Sequence, residues 1–179
     1  MEKLKPIVLV GMMGSGKTLI GKQLAKRFNI DFIDIDKIIK EKTKYSVTEI
    51  INLFSAKTLK EIEYKLLKEI VQKPCVISTS DTTVENQQAW NFLLKNGLII
   101  WLNINLKVIF QRLKPNENRP FFSTESTQES ILEIYKKRKK RYNQAHIKFS
   151  YVKLSILETM IRKHFQKSEQ NQSQEKNNI

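Results

Sequence analysis

The 179-residue chain is poor in cysteine and glycine and has no long apolar run. Its single cysteine, Cys75, excludes an internal disulfide and suits a reducing compartment. The strongly apolar runs at 7–10 and 98–102 are far too short to span a bilayer. MEKLKP runs directly into a strand-like segment, so we expect no signal peptide. We therefore expect one cytoplasmic, monomeric domain with a sizeable core and no membrane contact.

Acidic residues are also few, with 18 Asp and Glu against 32 Lys and Arg, and the formal net charge is +14. The charge is uneven, because residues 135–179 hold 12 basic and 3 acidic side chains. A basic chain suits anionic partners such as nucleotides, phosphorylated metabolites or nucleic acid. A compositional bias toward Lys, Asn and Ile would produce the same excess.

Short apolar segments alternate with amphipathic ones, which predicts an α/β fold with a parallel sheet and helices on both faces. Strands are predicted near 6–10, 32–35, 75–79, 98–103 and 149–153. Helices are predicted near 17–28, 36–43, 47–54, 57–72, 85–96, 105–113, 127–145 and 155–167. Residues 114–126 are polar and carry two prolines, so they predict a mobile loop. The composition of residues 167–179 predicts a disordered polar tail.

The segment GMMGSGKT, residues 11–18, fits the pattern G-x-x-x-x-G-K-[ST] in full. A strand-like segment precedes it and an amphipathic one follows, which favours a phosphate loop over an ordinary glycine-rich turn. Backbone N–H groups of such a loop point at phosphate oxygens, and the next helix adds its positive dipole end. We expect the nucleotide phosphates to be bound by Gly11, Gly14, Ser15, Gly16, Lys17 and Thr18.

Two carboxylates, Asp34 and Asp36, end the second strand-like segment, FIDID. Their i, i+2 spacing would put both on one side of a strand. If that strand lies beside the first, one carboxylate could hold a Mg²⁺-bound water and the other could accept a proton from a substrate hydroxyl. Alternatively, Asp36 is a helix N-cap and Asp34 is solvated.

In these motifs the chain resembles the shikimate kinases, small members of the P-loop kinases, over roughly residues 5–165. The matching segments are GMMGSGKTLIGKQLA, FIDIDKII, SVTEIINLF and the lid motif RPFF. The resemblance implies a three-layer fold with a five-stranded parallel sheet in the order 2-3-1-4-5. It implies a kinase domain over 1–166, with a mobile lid near 112–124. It also implies transfer of the ATP γ-phosphate to the 3-hydroxyl of the small-molecule substrate shikimate.

The resemblance assigns roles to single residues. Lys17 and Arg119 would stabilise the transferring phosphoryl group, while Thr18 would bind Mg²⁺. Asp34 would support the metal through water, and Asp36 would hold substrate hydroxyls and act as the base. Arg112 lies where the family stacks an arginine on adenine, and Arg138 where it holds the substrate carboxylate.

The chain departs from the family pattern in its acceptor site. A family arginine is replaced by Lys60, which offers a point charge in place of two parallel N–H bonds. Three family glycines after the third strand are replaced by Ser80, Asp81 and Thr82, whose side chains enter space that the family leaves empty. Asp81 also places a negative charge near the γ-phosphate of ATP and near the carboxylate of the substrate.

Three explanations of this loop remain open. Asp81 binds Mg²⁺, the pocket suits a substrate other than shikimate, or the loop has decayed while nucleotide binding persists. The leading hypothesis is ATP-dependent phosphorylation of a small hydroxylated metabolite, with shikimate first. The runner-up is a diverged ATP-binding relative with another acceptor or no kinase activity. A third hypothesis, nucleic-acid binding through the basic run 135–142, is disfavoured because a helix projects consecutive residues in all directions.

Overall fold

The computed structural model describes residues 4–113, 128–150 and 153–177. It contains five strands, named β1 Ile7–Val10, β2 Asp31–Asp34, β3 Cys75–Ser78, β4 Leu98–Leu102 and β5 Ile147–Phe149. Eight α-helices lie in the described part, named α1 Lys17–Phe28, α2 Ile35–Thr43, α3 Val47–Leu53, α4 Ala56–Ile70, α5 Gln87–Asn96, α6 Leu106–Leu113, α7 Gln128–Tyr142 and α8 Leu154–Asn177. A 3-10 turn, Thr83–Glu85, precedes α5.

All strand pairs are parallel and the sheet order is β2-β3-β1-β4-β5, as expected. The strands β1, β3 and β4 are buried along their whole length, which explains their continuous apolar sequence. The crossovers β1 to β2 and β3 to β4 run in opposite directions along the sheet. Because such crossovers are right-handed, α1 and α5 lie on opposite faces.

The strand order reverses at β1, whose neighbours are β3 and β4. Open α/β sheets bind ligands in the crevice beyond the carboxyl ends of the strands at such a point. The loop at 11–16 follows β1 at this point. The sheet topology and the glycine pattern therefore indicate the same binding site.

Several boundaries differ from the expected ones. The fifth strand was expected at 149–153, but β5 is Ile147–Phe149, with Ile147 and Phe149 buried and Lys148 exposed. The alternating buried and exposed residues of the strand that pairs with β4 thus begin at Ile147, two residues earlier than expected. The helix α8 continues to Asn177, into the segment for which composition predicts disorder and which contains no proline or glycine to end it. The limit of the domain at residue 166 stays a prediction.

Both tryptophans, Trp90 and Trp101, and Cys75 are buried in the core, and burial raises the pKa of the Cys75 thiol to about 11.

Within the described ranges, no helix is long and apolar enough to cross a bilayer. Most of the expected lid, including Arg119, lies outside the described residues.

Candidate functional site

The phosphate loop depends on glycine at three positions. Gly11, Gly14 and Gly16 have φ angles of 153°, 71° and 93°, a region that side chains rarely adopt. Gly16 is the N-cap of α1, so the helix begins at Lys17 with its amino end facing the loop. The hydroxyl of Ser15 is buried and has no hydrogen-bond partner among the described residues. A curled backbone with an unpaired buried donor fits an anion.

The ammonium of Lys17 already has three partners. It donates to the carbonyl oxygens of Gly11 at 3.0 Å and Met12 at 3.4 Å, and it forms an ion pair with Asp81. The Lys17 side chain is only 10% exposed. The cation that offsets the charge of Asp81 in this crevice is therefore the phosphate-loop lysine.

Thr18 and Asp34 fit the metal role that the sequence predicts. The Thr18 hydroxyl donates to a carboxylate oxygen of Asp34 at 2.9 Å, at the start of α1 and the end of β2. Hydroxyl and carboxylate oxygens are the donors that Mg²⁺ prefers, and it is held by few protein ligands plus phosphates. The described residues contain no group of three or more His, Cys, Asp or Glu side chains suited to a metal.

Asp36 is neither a strand residue nor a helix N-cap. The strand β2 ends at Asp34, which is the N-cap position of α2, and Asp36 lies in the first turn of that helix. The i, i+2 strand geometry was therefore wrong, although both carboxylates line the same cavity. Burial raises the pKa of Asp36, and a hydrogen bond from Ser80 opposes the rise. The charges of Asp81 and Asp34 also raise this pKa, while Lys17 lowers it.

A second buried acid, Glu63, was missed by the sequence reasoning. Its carboxylate accepts hydrogen bonds from the hydroxyls of Thr82 at 3.1 Å and Thr83 at 3.3 Å, and it is fully buried. Burial raises the pKa of Glu63 to about 7. The sequence contains a signal for this acid, because Glu63 falls at helical spacing among apolar residues. The buried stripe of α4 comprises Leu59, Glu63, Leu66 and Leu67. An acid inside an apolar helical stripe indicates a buried polar site.

Each of the three residues that replace family glycines contacts a different group. Ser80 donates to Asp36, Asp81 pairs with Lys17, and Thr82 donates to Glu63. We call residues 80–82 the tether loop. It joins α2, the phosphate loop and α4.

Two cavities share Arg112, which contacts the phosphate loop. One of about 870 Å³ is lined by residues 13–20 together with Asp34, Asp36 and Asp81. The other, of about 600 Å³, is lined by residues 103–106, Tyr135 and Ser150, among others. Arg112 lines both, and its guanidinium donates to the Gly14 carbonyl at 2.9 Å. The residue expected at the adenine therefore lies at the junction of the cavities.

The expected acceptor cations, Lys60 and Arg138, line a third cavity of about 250 Å³ with Lys137 and Arg141. Arg138 is 6% exposed and donates to Glu85 at 2.7 Å. Desolvation raises the pKa of Glu85, but the hydrogen bonds and charges of Arg138 and Lys137 outweigh it and leave the pKa lowered. Four cations face one acid, so the cavity remains suited to an anionic group.

The basic run in α7 does not form one surface. Arg138 is buried, Arg141 donates to the Val84 carbonyl and to Gln87, and Lys137 pairs with Glu85. These contacts direct part of the charge inward, toward the third cavity, as expected for a helix with consecutive basic residues.

A phosphate loop at the reversal point of a 2-3-1-4-5 sheet is the architecture of the P-loop kinases. The model of the family described as "Shikimate kinase" matches residues 13–169. The shikimate kinase of Staphylococcus aureus (strain MSSA476) is 36% identical over 154 residues, which cover 86% of this chain and 88% of that protein. The chain belongs to the shikimate kinase family and is an ATP-dependent kinase.

Solved structures give the same result. The shikimate kinase from Acinetobacter baumannii in complex with shikimate has a TM-score of 0.78 at 26% identity, covering 94% of each chain. The shikimate kinase from Aquifex aeolicus has a TM-score of 0.73 at 27% identity, covering 93% of this chain and 97% of that one.

Proposed function

We propose that this protein transfers the γ-phosphate of ATP to the 3-hydroxyl of shikimate, in the pathway to aromatic amino acids in the cytoplasm. The observation that carries the proposal is the position of Asp36. Its carboxyl lies in the cavity of the phosphate loop, with a pKa raised by burial. A carboxylate beside the phosphate loop, with a raised pKa, suits the removal of a proton from an attacking hydroxyl.

The third cavity supports an acidic acceptor. Lys60 and Arg138 face it, and they are the cations that the family resemblance assigns to the substrate carboxylate. The segment 80–85 separates this cavity from the nucleotide cavity, because Asp81 lines one and Val84 and Glu85 line the other. An acceptor with a hydroxyl at Asp36 and a carboxylate at Arg138 would span both. Ser80, Asp81 and Thr82 would form the wall between them.

Phosphoryl transfer requires positioning and charge neutralisation more than covalent chemistry by the protein. In our proposal the loop N–H groups and Lys17 bind the phosphates, and Arg112 contacts the adenine. Asp36 receives the proton of the acceptor hydroxyl, and Arg119 would stabilise the transferring phosphoryl group, which is the role that the family resemblance gives it. Thr18 and Asp34 would hold Mg²⁺, directly and through water, and the ion would neutralise charge on the phosphates.

The direct test measures ADP formation with Mg-ATP over a wide range of shikimate concentration. We expect strong stimulation by shikimate and a product phosphorylated at the 3-hydroxyl, identified by phosphorus NMR. The Asp36→Asn variant should lower kcat by about 100-fold or more, because it removes the base. Its ADP affinity should stay near that of the unchanged protein.

The matched control is Asp31→Asn, which makes the same charge change at the exposed start of β2. It should leave kcat unchanged. Normal ADP binding without any shikimate stimulation would reject shikimate as the acceptor and favour a diverged relative. An equal loss of kcat in both variants would remove Asp36 from the role of base.

A further inference from the structure

We propose that Asp81 is an internal anion that competes with nucleotide phosphate for Lys17 and thereby sets the nucleotide affinity of this kinase. The inference rests on the proposed binding of phosphates at residues 11–18. It assigns Asp81 a role in nucleotide affinity that differs from metal binding.

The ammonium group of Lys17 has no free donor. An ammonium group has three N–H donors, and here Gly11, Met12 and Asp81 accept all three. A phosphate oxygen can bind Lys17 only by replacing one of them. The two carbonyl oxygens belong to the phosphate loop itself, so the loop must keep its shape around them.

Of the three acceptors, Asp81 is the one that a phosphate can replace. It comes from a different segment, 64 residues away in sequence, and its side chain is 32% exposed. It also lines the cavity of about 870 Å³ beside the loop, so the carboxylate has space and solvent to move into. Exchange of a carboxylate for a phosphate keeps an anion next to Lys17. The free energy of the lost ion pair is therefore subtracted from the free energy of nucleotide binding.

Movement of Asp81 would also affect the residues on either side of it. Its neighbours in the tether loop, Ser80 and Thr82, hold Asp36 and Glu63. Release of Asp81 by a nucleotide would loosen one of three consecutive anchors. Nucleotide binding would thus change the constraint on Asp36 and with it the affinity for the acceptor. Acceptor binding would then change the nucleotide affinity by the same factor.

The test is titration calorimetry with ADP, without acceptor, on the full chain and on Asp81→Asn. We expect Asp81→Asn to bind ADP about tenfold more tightly, since a half-buried ion pair no longer opposes binding. Asp31→Asn provides the control for the change in net charge and should bind ADP as the unchanged protein does. Unchanged or weaker ADP binding by Asp81→Asn would overturn the proposal.

A double-mutant cycle shows whether Asp81 acts through Lys17. In a Lys17→Met background, Asp81→Asn should change ADP affinity by less than about twofold. An equal gain in both backgrounds would mean general repulsion of the nucleotide and would overturn the competition for Lys17.

Repeating the titrations with and without Mg²⁺ separates the metal-ligand role. A loss of ADP affinity in Asp81→Asn that occurs only with Mg²⁺ would assign Asp81 to the metal and overturn the proposal. These titrations contain no acceptor, so a failure of shikimate turnover leaves their outcome unaffected.

Discussion

Glu63 is a carboxyl group that changes charge near neutral pH within hydrogen-bond reach of the tether loop. Burial raises its pKa to about 7, and the charge of Asp36 adds to the rise, while hydrogen bonds from Thr82 and Thr83 oppose it. The single hydroxyl proton of Ser80 is donated to Asp36. The charge of Asp36 raises the pKa of Glu63, so ionisation of Asp36 disfavours ionisation of Glu63.

This burial predicts a pH-dependent stability. The native protein keeps the Glu63 proton up to about pH 7, whereas the unfolded chain loses it near 4.5. The free energy of unfolding then falls as the pH rises through this window, by about 3 kcal/mol at most. The Glu63→Gln variant has no proton to lose. Its stability relative to the unchanged protein should therefore increase between about pH 5 and about pH 8 in urea unfolding.

Glu61→Gln is the matched control, because Glu61 lies two residues earlier in α4 and is exposed. Its stability relative to the unchanged protein should not depend on pH in this range. A Glu63→Gln variant with the same flat profile would show that Glu63 is ionised in the native protein across the window.

At the scale of elements, the approach of α1 to β2 depends on a glycine inside the helix. A Cβ atom on Gly21 would lie 2.4 Å from Cε2 of Phe32 and 3.3 Å from Cδ1 of Leu9. Glycine inside a helix costs about 1 kcal/mol relative to alanine, so close packing against the sheet is the compensating gain. The same contact holds the Thr18 end of α1 beside the Asp34 end of β2.

The Gly21→Ala variant should lower the free energy of unfolding by about 1–2 kcal/mol, because the clash outweighs the gain in helix propensity. The double variant Gly21→Ala with Phe32→Leu should recover part of this loss, since leucine lacks the atom that clashes. Gln23→Ala, an exposed change in the same helix, is the control and should cost little. Thermal unfolding of the four proteins measures the effect, and a Gly21→Ala variant as stable as Gln23→Ala would contradict the packing argument.

The elements were predictable where local signals are strong. The bounds of α1 follow from the phosphate-loop pattern at its start and Asn29 in a left-handed conformation at its end. The junction of β2 and α2 was misread, because an acidic residue after a strand fits either a longer strand or a helix start. The contacts of the tether loop could not be predicted from the sequence. They join residues up to 64 positions apart, and only the packed sheet brings them together.

At the scale of the whole molecule, α8 closes the helical layer that contains α1. Arg27 donates to Glu158 at 2.8 Å, and the Arg162 guanidinium lies 4.8 Å from the centroid of the Phe28 ring. Among the α8 side chains that the structure describes, Leu157 and Ile161 are buried. The contacts described for α8 lie in the first half of the helix.

If the folded domain ends near residue 166, deletion of residues 168–179 should change the free energy of unfolding by less than about 0.5 kcal/mol. Leu157→Ala should cost about 2–5 kcal/mol, because it leaves a cavity in the core. Thermal unfolding of both variants tests the proposed limit of the domain near residue 166. A large loss on truncation would extend the folded domain into the polar tail.

The position of Arg112 has a consequence for the design of inhibitors. Its guanidinium is a wall of two cavities and is held to the phosphate loop through the Gly14 carbonyl. A fragment that binds in either cavity and draws Arg112 away from Gly14 reshapes the other cavity. Fragments found separately for the two cavities would share one guanidinium, so their affinities would not add when they are linked. A single scaffold built around that guanidinium is the better starting point for chemistry.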